Sequence, residues 1–331
     1  MQQAAGQSVL AIDLGGTQLR AAYVSPDASI SCRRAVETRG EQGVDRVVAR
    51  ICDLAVQVRD EAAAAGLPPP LGIGISSPGP LDPWRGMVVA PPNLPGWHDV
   101  PLADRVEQCV GLPAFLERDT NVAVMCEWRY GAARGKSDVV YITVSTGVGG
   151  GIVLGGRPLI GPDGTAGEVG HMTIDLDGPL CGDGQPGHVE AIGSGTAIAR
   201  AGRELLANDA SPALARLADR GDVDAELVAR AADEGDEAAR TILDRAWEAV
   251  GALCASLVNL LNPEIIVLGG GIAVHRPELL DAVRQQIALR AFALPARRVR
   301  LALAQYPHDV SLIGSLPIVN ERIHDPAFRR G

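Results

Sequence analysis

Aromatic side chains are scarce in this chain: Phe, Trp and Tyr make up 3% of its 331 residues. The core must therefore rely on Ala, Val, Leu and Ile, and a stacking platform for single-stranded nucleic acid is disfavoured. Basic charge is in deficit, with 30 Lys and Arg against 40 Asp and Glu and a net charge of −10. That argues against a broad polyanion-binding face, so no nucleic-acid partner is expected, while a local phosphate pocket stays open. Long apolar runs are missing too. Ala249 to Pro263 falls short of the roughly 20 apolar residues a membrane span needs, and Val139 to Gly156 is filled with Gly, Ser and Thr. No membrane partner is expected. Residues 1–8 are polar, with neither a basic start nor an apolar signal core, so the expected location is the cytoplasm. The six cysteines, Cys32, Cys52, Cys109, Cys126, Cys181 and Cys254, are scattered. Reduced thiols are expected, five of them as small core residues.

What is present describes a globular α/β protein. Hydrophobic residues reach 47% and charged residues 21%, and the length suits about two domains. Val9 to Asp13 reads as a strand, Gly15 and Gly16 as a hairpin turn, and Leu19 to Val24 as the next strand. Val44 to Ala65 has apolar residues at helical spacing and is stopped by Gly66-Leu-Pro-Pro-Pro70. Leu71 to Ser76, Ala114 to Glu117, Val139 to Ser145, Ile265 to Leu268 and Val299 to Leu303 read as further strands. Helices are expected over Leu102 to Val110, from Asn121 to Arg129, and over Ser194 to Asn208, Asp222 to Ala232, Asp236 to Leu261, Glu278 to Ala291 and Ser311 to Arg322. The strand–glycine–strand pattern at Asp13 to Thr17 recurs at Val139 to Leu154, a weak internal repeat. Two α/β lobes with a cleft between them are expected. The boundaries are 1–119 for a small lobe, with a C-terminal helix at 311–331 packing back on it, and 120–310 for a large lobe.

Three glycine clusters follow apolar strands: Asp13-Leu-Gly-Gly-Thr17, Ser145-Thr-Gly-Val-Gly-Gly-Gly151 and Leu268-Gly-Gly-Gly271. Glycine lets backbone N–H groups approach a ligand closely, and such turns hold phosphate oxygens. None is followed by Gly-Lys-Ser/Thr, and none has the GxGxxG form that opens a helix in a dinucleotide fold. Asp13 is a candidate Mg²⁺ partner through water, or a turn residue bonding its own backbone.

At this point the sequence resembles the ROK (repressor, open reading frame, kinase) family, within the sugar-kinase and actin-like ATPase superfamily. The resemblance runs from about Val9 to Val319. It is carried by the first glycine turn, Ser77-Pro-Gly-Pro-Leu-Asp82, Pro92-Asn-Leu-Pro-Gly-Trp97, Glu117-Arg-Asp-Thr-Asn121, Glu127-Trp-Arg-Tyr-Gly131, Ser145-Thr-Gly-Val-Gly149, Ala166-Gly-Glu-Val-Gly-His171, Gly187-His-Val-Glu190, Ser194-Gly-Thr-Ala197 and Val267-Leu-Gly-Gly-Gly271. It implies two ribonuclease-H-like lobes and transfer of the ATP γ-phosphoryl group to a hexose hydroxyl, with glucose as the leading acceptor. Fructose, mannose, allose, an N-acetylhexosamine, or a sensor without catalysis are the alternatives. A homodimer or homotetramer is implied as well. The helix-turn-helix of the family's regulators is not expected, because few residues precede the first strand.

The resemblance assigns Asp119 as the base that takes the hydroxyl proton; its spacing alone fits a helix N-cap equally. Gly79, Asn93, Arg118, Asp119, Glu168, His171 and Glu190 are the implied sugar contacts. Asp13, Gly15, Gly16, Thr17, Thr146, Gly147, Gly269 and Gly270 are the implied ATP and phosphate contacts, with Mg²⁺ as companion. Two departures stand out. Arg118 occupies the place of a usual Asn; it points inward to the ring and Asp119, or outward as a surface cation. The family's three-cysteine zinc motif reads here as Cys181-Gly-Asp-Gly-Gln-Pro-Gly-His188. His171, Cys181, Asp183 and His188 form either a zinc site or a loop organised by hydrogen bonds around Asp183.

Overall fold

In the computed structural model, residues 6–91, 94–218 and 222–328 are described. Strands β1 (Val9–Leu14) and β2 (Gln18–Val24) pair antiparallel around the first glycine turn, and β3 (Ile30–Glu37) follows on β2. Helix α1 (Val44–Ala64) buries Val47, Val48, Ile51, Leu54, Ala55 and Val58 on one stripe. Strand β4 (Ile73–Ser77) lies parallel to β1. A small hairpin, β5 (Leu81–Asp82) and β6 (Met87–Val88), comes next, then α2 (Leu102–Val110), closed by Gly111 at φ +76°. Strand β7 (Ala114–Arg118) lies parallel to β4 and runs straight into α3 (Asp119–Arg129). The sheet order is β3-β2-β1-β4-β7. Leu10, Ile12 and Leu14 point alternately from β1 into a core shared with α1 and α2.

The second set repeats this plan. Strands β8 (Val139–Val144) and β9 (Val148–Leu154) pair antiparallel around the second glycine turn, followed by the short β10 (Arg157–Pro158). Helices α4 (Glu190–Gly193), α5 (Gly195–Ala207), α6 (Pro212–Leu217), α7 (Ala225–Asp233) and α8 (Glu237–Leu261) follow. Ser194, Ser211, Asp224 and Asp236 each accept a backbone N–H in the first turn of α5, α6, α7 and α8. Strand β11 (Ile265–Gly269) is parallel to β8 and leads into α9 (Gly270–His275) and α10 (Glu278–Arg290). Helix α11 (Ala293–Arg298) and strand β12 (Arg300–Leu303), parallel to β11, complete the sheet, ordered β10-β9-β8-β11-β12. Its core joins Val140, Ile142 and Val144 to α5, α7, α8 and α10. The chain ends in α12 (Val310–Ile313) and α13 (Ser315–Arg322), which pack on β1, β4 and α3. At Gly74, Cα and side chain of Ser315 come so close that a Cβ has no room, and Ser315 donates to the Gly74 carbonyl at 3.2 Å.

Two compact units result: residues 1–135, 157–166 and 308–331, and residues 136–156 and 167–307. The division falls after Gly135, not at 119/120, because α3 packs on α12 and α13 and stays with the first unit. Residues 157–166 also belong there; a Cβ on Gly164 would meet the Leu81 carbonyl at 2.8 Å. The expected helix over Ser311 to Arg322 is two helices broken at Gly314, where any side chain would overlap the Val122 carbonyl of α3. The expectation of reduced thiols fails at one pair. Cys52 of α1 and Cys109 of α2 form a disulfide, their Cα atoms 6.0 Å apart, because the two helices lie side by side in the first core. Cys126 and Cys254 are buried thiols as expected, and Cys32 is half-buried. No helix among the described residues is long and apolar enough to cross a membrane.

Candidate functional site

In the first unit, the glycine turn is held from both flanks. Gly15 N–H donates to the Gln18 carbonyl at 3.0 Å, and a Cβ there would sit 2.9 Å from that oxygen. Thr38 donates to the Gly15 carbonyl at 2.6 Å, leaving Gly16 and Thr17 exposed at the tip. Asp13 faces Arg20 across the β1–β2 ladder. Arg20 donates Nε and Nη2 to Asp13 Oδ2 at 2.8 and 2.5 Å, and Nη1 to the His308 carbonyl at 2.7 Å. Asp13 is thus no simple turn residue. It is a carboxylate with one oxygen already neutralised by a cation the sequence did not single out.

Asp119 is the first residue of α3, and it is exposed while Glu117, Arg118, Thr120 and Asn121 around it are buried. Arg118, not Asp119, holds the N-cap position, and it makes no side-chain cap bond. Asp119 Oδ1 instead accepts the Thr120 N–H at 2.7 Å. Of the two expected poses of Arg118, the outward one fails. Arg118 is 4% exposed, so it is no surface cation. It donates to the carbonyls of Thr165 and Ala166 and to Asn121 Oδ1, while its stem lies where a Cβ on Gly79 would reach Arg118 Cδ at 3.4 Å. Backbone carbonyls recruit it because a guanidinium has five donors and no acceptor. Gly79 therefore packs beside the Arg118 stem. Asn93 lies outside the described residues.

In the second unit, the turn after β8 meets the start of α5. Gly195 donates to the Ser145 carbonyl at 2.8 Å, and Thr196 Oγ1 donates to the Thr146 carbonyl at 2.8 Å. Glu190, first in α4, accepts the Val148 N–H on Oε2 at 2.8 Å. A Cβ on Gly147 would overlap that oxygen, so a side chain there would displace the Glu190 carboxylate. Glu190 Oε1 lies 4.0 Å from Cys181 Sγ. Glu168 and His171 bracket a single 3₁₀ turn and are both exposed.

A cavity of about 810 Å³ opens beside this turn, a size that suits a small organic ligand. Thr146, Thr196, Arg203, Trp247, Ile272 and Arg276 are among its lining residues. Gly271 lines it; Gly269 and Gly270 do not. Both glycines are tightly packed: a Cβ on Gly269 would overlap the Tyr141 hydroxyl, and one on Gly270 would meet the Val144 carbonyl at 2.5 Å. Arg276 is fixed by Asp233 at 2.7 and 2.8 Å and by Glu278 at 2.6 Å; its bond to Asp233 holds it in the charged form against the opposing effect of burial. Arg203, Trp247 and Arg276 escaped the sequence reading because they sit on α5, on α8 and just after α9, with no motif of their own. A smaller hollow of about 130 Å³ lies between Thr146, Cys181, Glu190 and Arg200.

The four candidate metal ligands do converge. His171 Nδ1 and His188 Nδ1 are 3.3 Å apart, Asp183 Oδ2 is 3.3 and 3.4 Å from them, and Cys181 Sγ is 3.9 Å from His171 Nδ1. All four donor atoms lie within 4.8 Å of one another. Such edges approximate a tetrahedron of ligands about 2.0–2.3 Å from its centre, and two imidazoles, a thiol and a carboxylate suit zinc. Asp183 also organises the loop, as its other oxygen accepts the Gln185 N–H at 3.1 Å. That bond, with the two histidines behind it, holds its carboxyl below the usual range, whereas burial pushes the Cys181 thiol up.

Comparison with known proteins places these parts in a family. Residues 9–322 match the model of the ROK family. The glucokinase of Thermotoga maritima is 35% identical over 316 residues, covering 95% of this chain and 98% of that protein. The N-acetylmannosamine kinase of Shigella flexneri is 33% identical over 309 residues, covering 93% and 97%. Among solved structures, a ROK family glucokinase from Streptomyces griseus in complex with glucose and AMPPNP superposes with a TM-score of 0.79 at 30% identity, covering 94% of this chain and 98% of that one.

Proposed function

The chain belongs to the ROK family and is an ATP-dependent sugar kinase, and we propose that it phosphorylates the 6-hydroxyl of glucose with Asp119 as general base. The observation that carries the reading is Glu190. It bonds the glycine turn at Val148, approaches Cys181, and stands beside the cavity that begins at Thr146. A ring-holding carboxylate is thereby welded to a phosphate turn.

In this reading the nucleotide base and ribose take the cavity lined by Arg203, Trp247, Ile272 and Arg276. The turns at Gly15–Thr17 and Thr146–Gly147 give N–H groups to phosphate oxygens. Glu168 and Glu190 accept from sugar hydroxyls. His171 brings Nδ1 to the metal group and keeps Nε2 for a hydroxyl. Asp119, exposed at the end of β7, takes the hydroxyl proton as the oxygen attacks in line. Mg²⁺, when bound, neutralises charge on the ATP phosphates; Asp13, with one oxygen on Arg20, suits an ion held mostly through water. Zinc, when bound to His171, Cys181, Asp183 and His188, braces the loop that carries His171 and Glu190. The cytoplasm, entry of glucose into glycolysis, and a homodimer or homotetramer complete the proposal.

N-acetylmannosamine is the second reading, because relatives with that name are 33% identical over nearly the whole chain. A coupled ADP-release assay with Mg-ATP over a panel of hexoses decides. Glucose is expected to give the highest kcat/KM. Turnover confined to an N-acetylhexosamine would replace the acceptor, and sugar binding without turnover would overturn the catalytic reading.

A further inference from the structure

Behind the exposed Asp119 lies a buried chain of charges that reaches the last helix. Glu117 is 1% exposed and divides its carboxylate. Oε1 accepts the Arg118 N–H at 2.7 Å and Asn121 Nδ2 at 3.0 Å, the two donors that flank Asp119 in sequence. Oε2 accepts Arg322 Nη2 from α13. Arg322 is 5% exposed and also donates Nη1 to the Leu116 carbonyl at 3.0 Å. The Phe328 ring covers its guanidinium at 4.2 Å, and Trp84 stacks on Phe328 with centroids 6.4 Å apart.

We infer that Arg322 is a positioning residue for Asp119, acting through Glu117 on the turn that carries the base. The inference rests on Asp119 being the base. Helix α3 starts without a side-chain N-cap bond. Its first turn depends instead on Glu117 Oε1, which fixes the backbone just before Asp119 and the side chain two residues after it. Glu117 can hold that pose only while its second oxygen is satisfied, and the partner is a cation 205 residues away. Lysine cannot replace it, since a single ammonium lacks the planar fork that serves the Leu116 carbonyl and Glu117 together while lying flat under Phe328.

Arg322→Lys is the primary test, and Glu117→Gln/Arg322→Gln is a second variant that removes both charges at once. Both are expected to lower kcat by about tenfold or more, since displacing a reacting group by about 1 Å costs up to 10²-fold, with KM for glucose and for ATP within about twofold of wild type. Asn320→Ala is the control for mere loosening of α13. Asn320 bonds Gln7 rather than Glu117, so its variant should melt lower with kcat unchanged. Wild-type kcat in both Arg322 variants would overturn the inference. So would an equal loss of kcat in Asn320→Ala, which would make the effect one of general stability. Asp119→Asn separates the two readings. If it stays active, the base assignment fails; if it is inactive while Arg322→Lys is fully active, only the positioning role fails.

Discussion

The two five-stranded sheets share a strand order and use it differently. Each has an antiparallel hairpin around a glycine turn and two parallel strands beyond it. In the first, the fifth strand ends in Glu117, Arg118 and the exposed Asp119. In the second, the corresponding strand ends at Ala302 and Leu303, with no acid. Among the described residues, the buried charged side chains Glu117, Arg118, Glu127 and Arg322 all belong to the first unit. The second has His188, Ser194 and Ser211 as its buried polar residues, and the 810 Å³ cavity. The first copy of the plan buries four charged side chains; the second opens a cavity. Burying charge is costly unless every partner is present.

The comparison can be broken first at Glu117. Glu117→Ala leaves Arg322 buried without its carboxylate, and the expected loss is about 3–5 kcal/mol of unfolding free energy in urea melts. A loss below about 1 kcal/mol would mean that these charges do not anchor the first unit.

The second unit is expected to respond to metal instead. A purified sample should carry one zinc per chain by elemental analysis. At a hundredfold excess of zinc over Kd, binding should stabilise the apoprotein by about 2.7 kcal/mol. Cys181→Ser and His188→Ala should each weaken that binding and raise KM for glucose more than KM for ATP. Zinc-free protein with unaltered glucose affinity would leave the loop organised by Asp183 and Gln185 alone.

The smallest effect is expected at Glu264. Amides of Ser137 at 2.6 Å and Asp138 at 3.3 Å, with Lys136 alongside, hold its carboxyl below the ordinary 4.5. A lowered folded pKa stabilises above the unfolded value and is lost as pH falls through the folded one. Glu264→Gln should therefore cost under about 1 kcal/mol at pH 7, after solvent screening of a side chain 40% exposed. The gap from wild type should shrink as pH drops below 4.5. A gap that widened toward acid would contradict the sign.

Much of the fold was legible because local pattern and tertiary packing agree. The apolar stripe of α1 and the glycine hairpins appear in the sequence as spacing, whereas the short α6 with its Ser211 cap was not read. What escaped depends on atoms far apart in the chain. Cys52 and Cys109 are 57 residues apart. Glu117 and Arg322 meet only because α13 returns to β7. The boundary after Gly135 follows from helix packing that spacing does not encode. The turns at Gly15 and Gly147 and the strand-to-helix junction at Asp119 were legible from strand patterns that end in glycine or acid. The close packing of Gly269 against Tyr141 and of Gly270 against Val144 was not legible, because it depends on a neighbouring strand.

The central proposal is that Asp119, in the first unit, is the general base. The direct measurement is Asp119→Asn, with kcat and glucose affinity determined on one preparation, the latter by calorimetry with AMPPNP present. The account predicts a fall in kcat of about 10²–10⁴-fold with glucose Kd within a few-fold of wild type. Turnover near the wild-type rate, or loss of glucose binding in step with turnover, would contradict it.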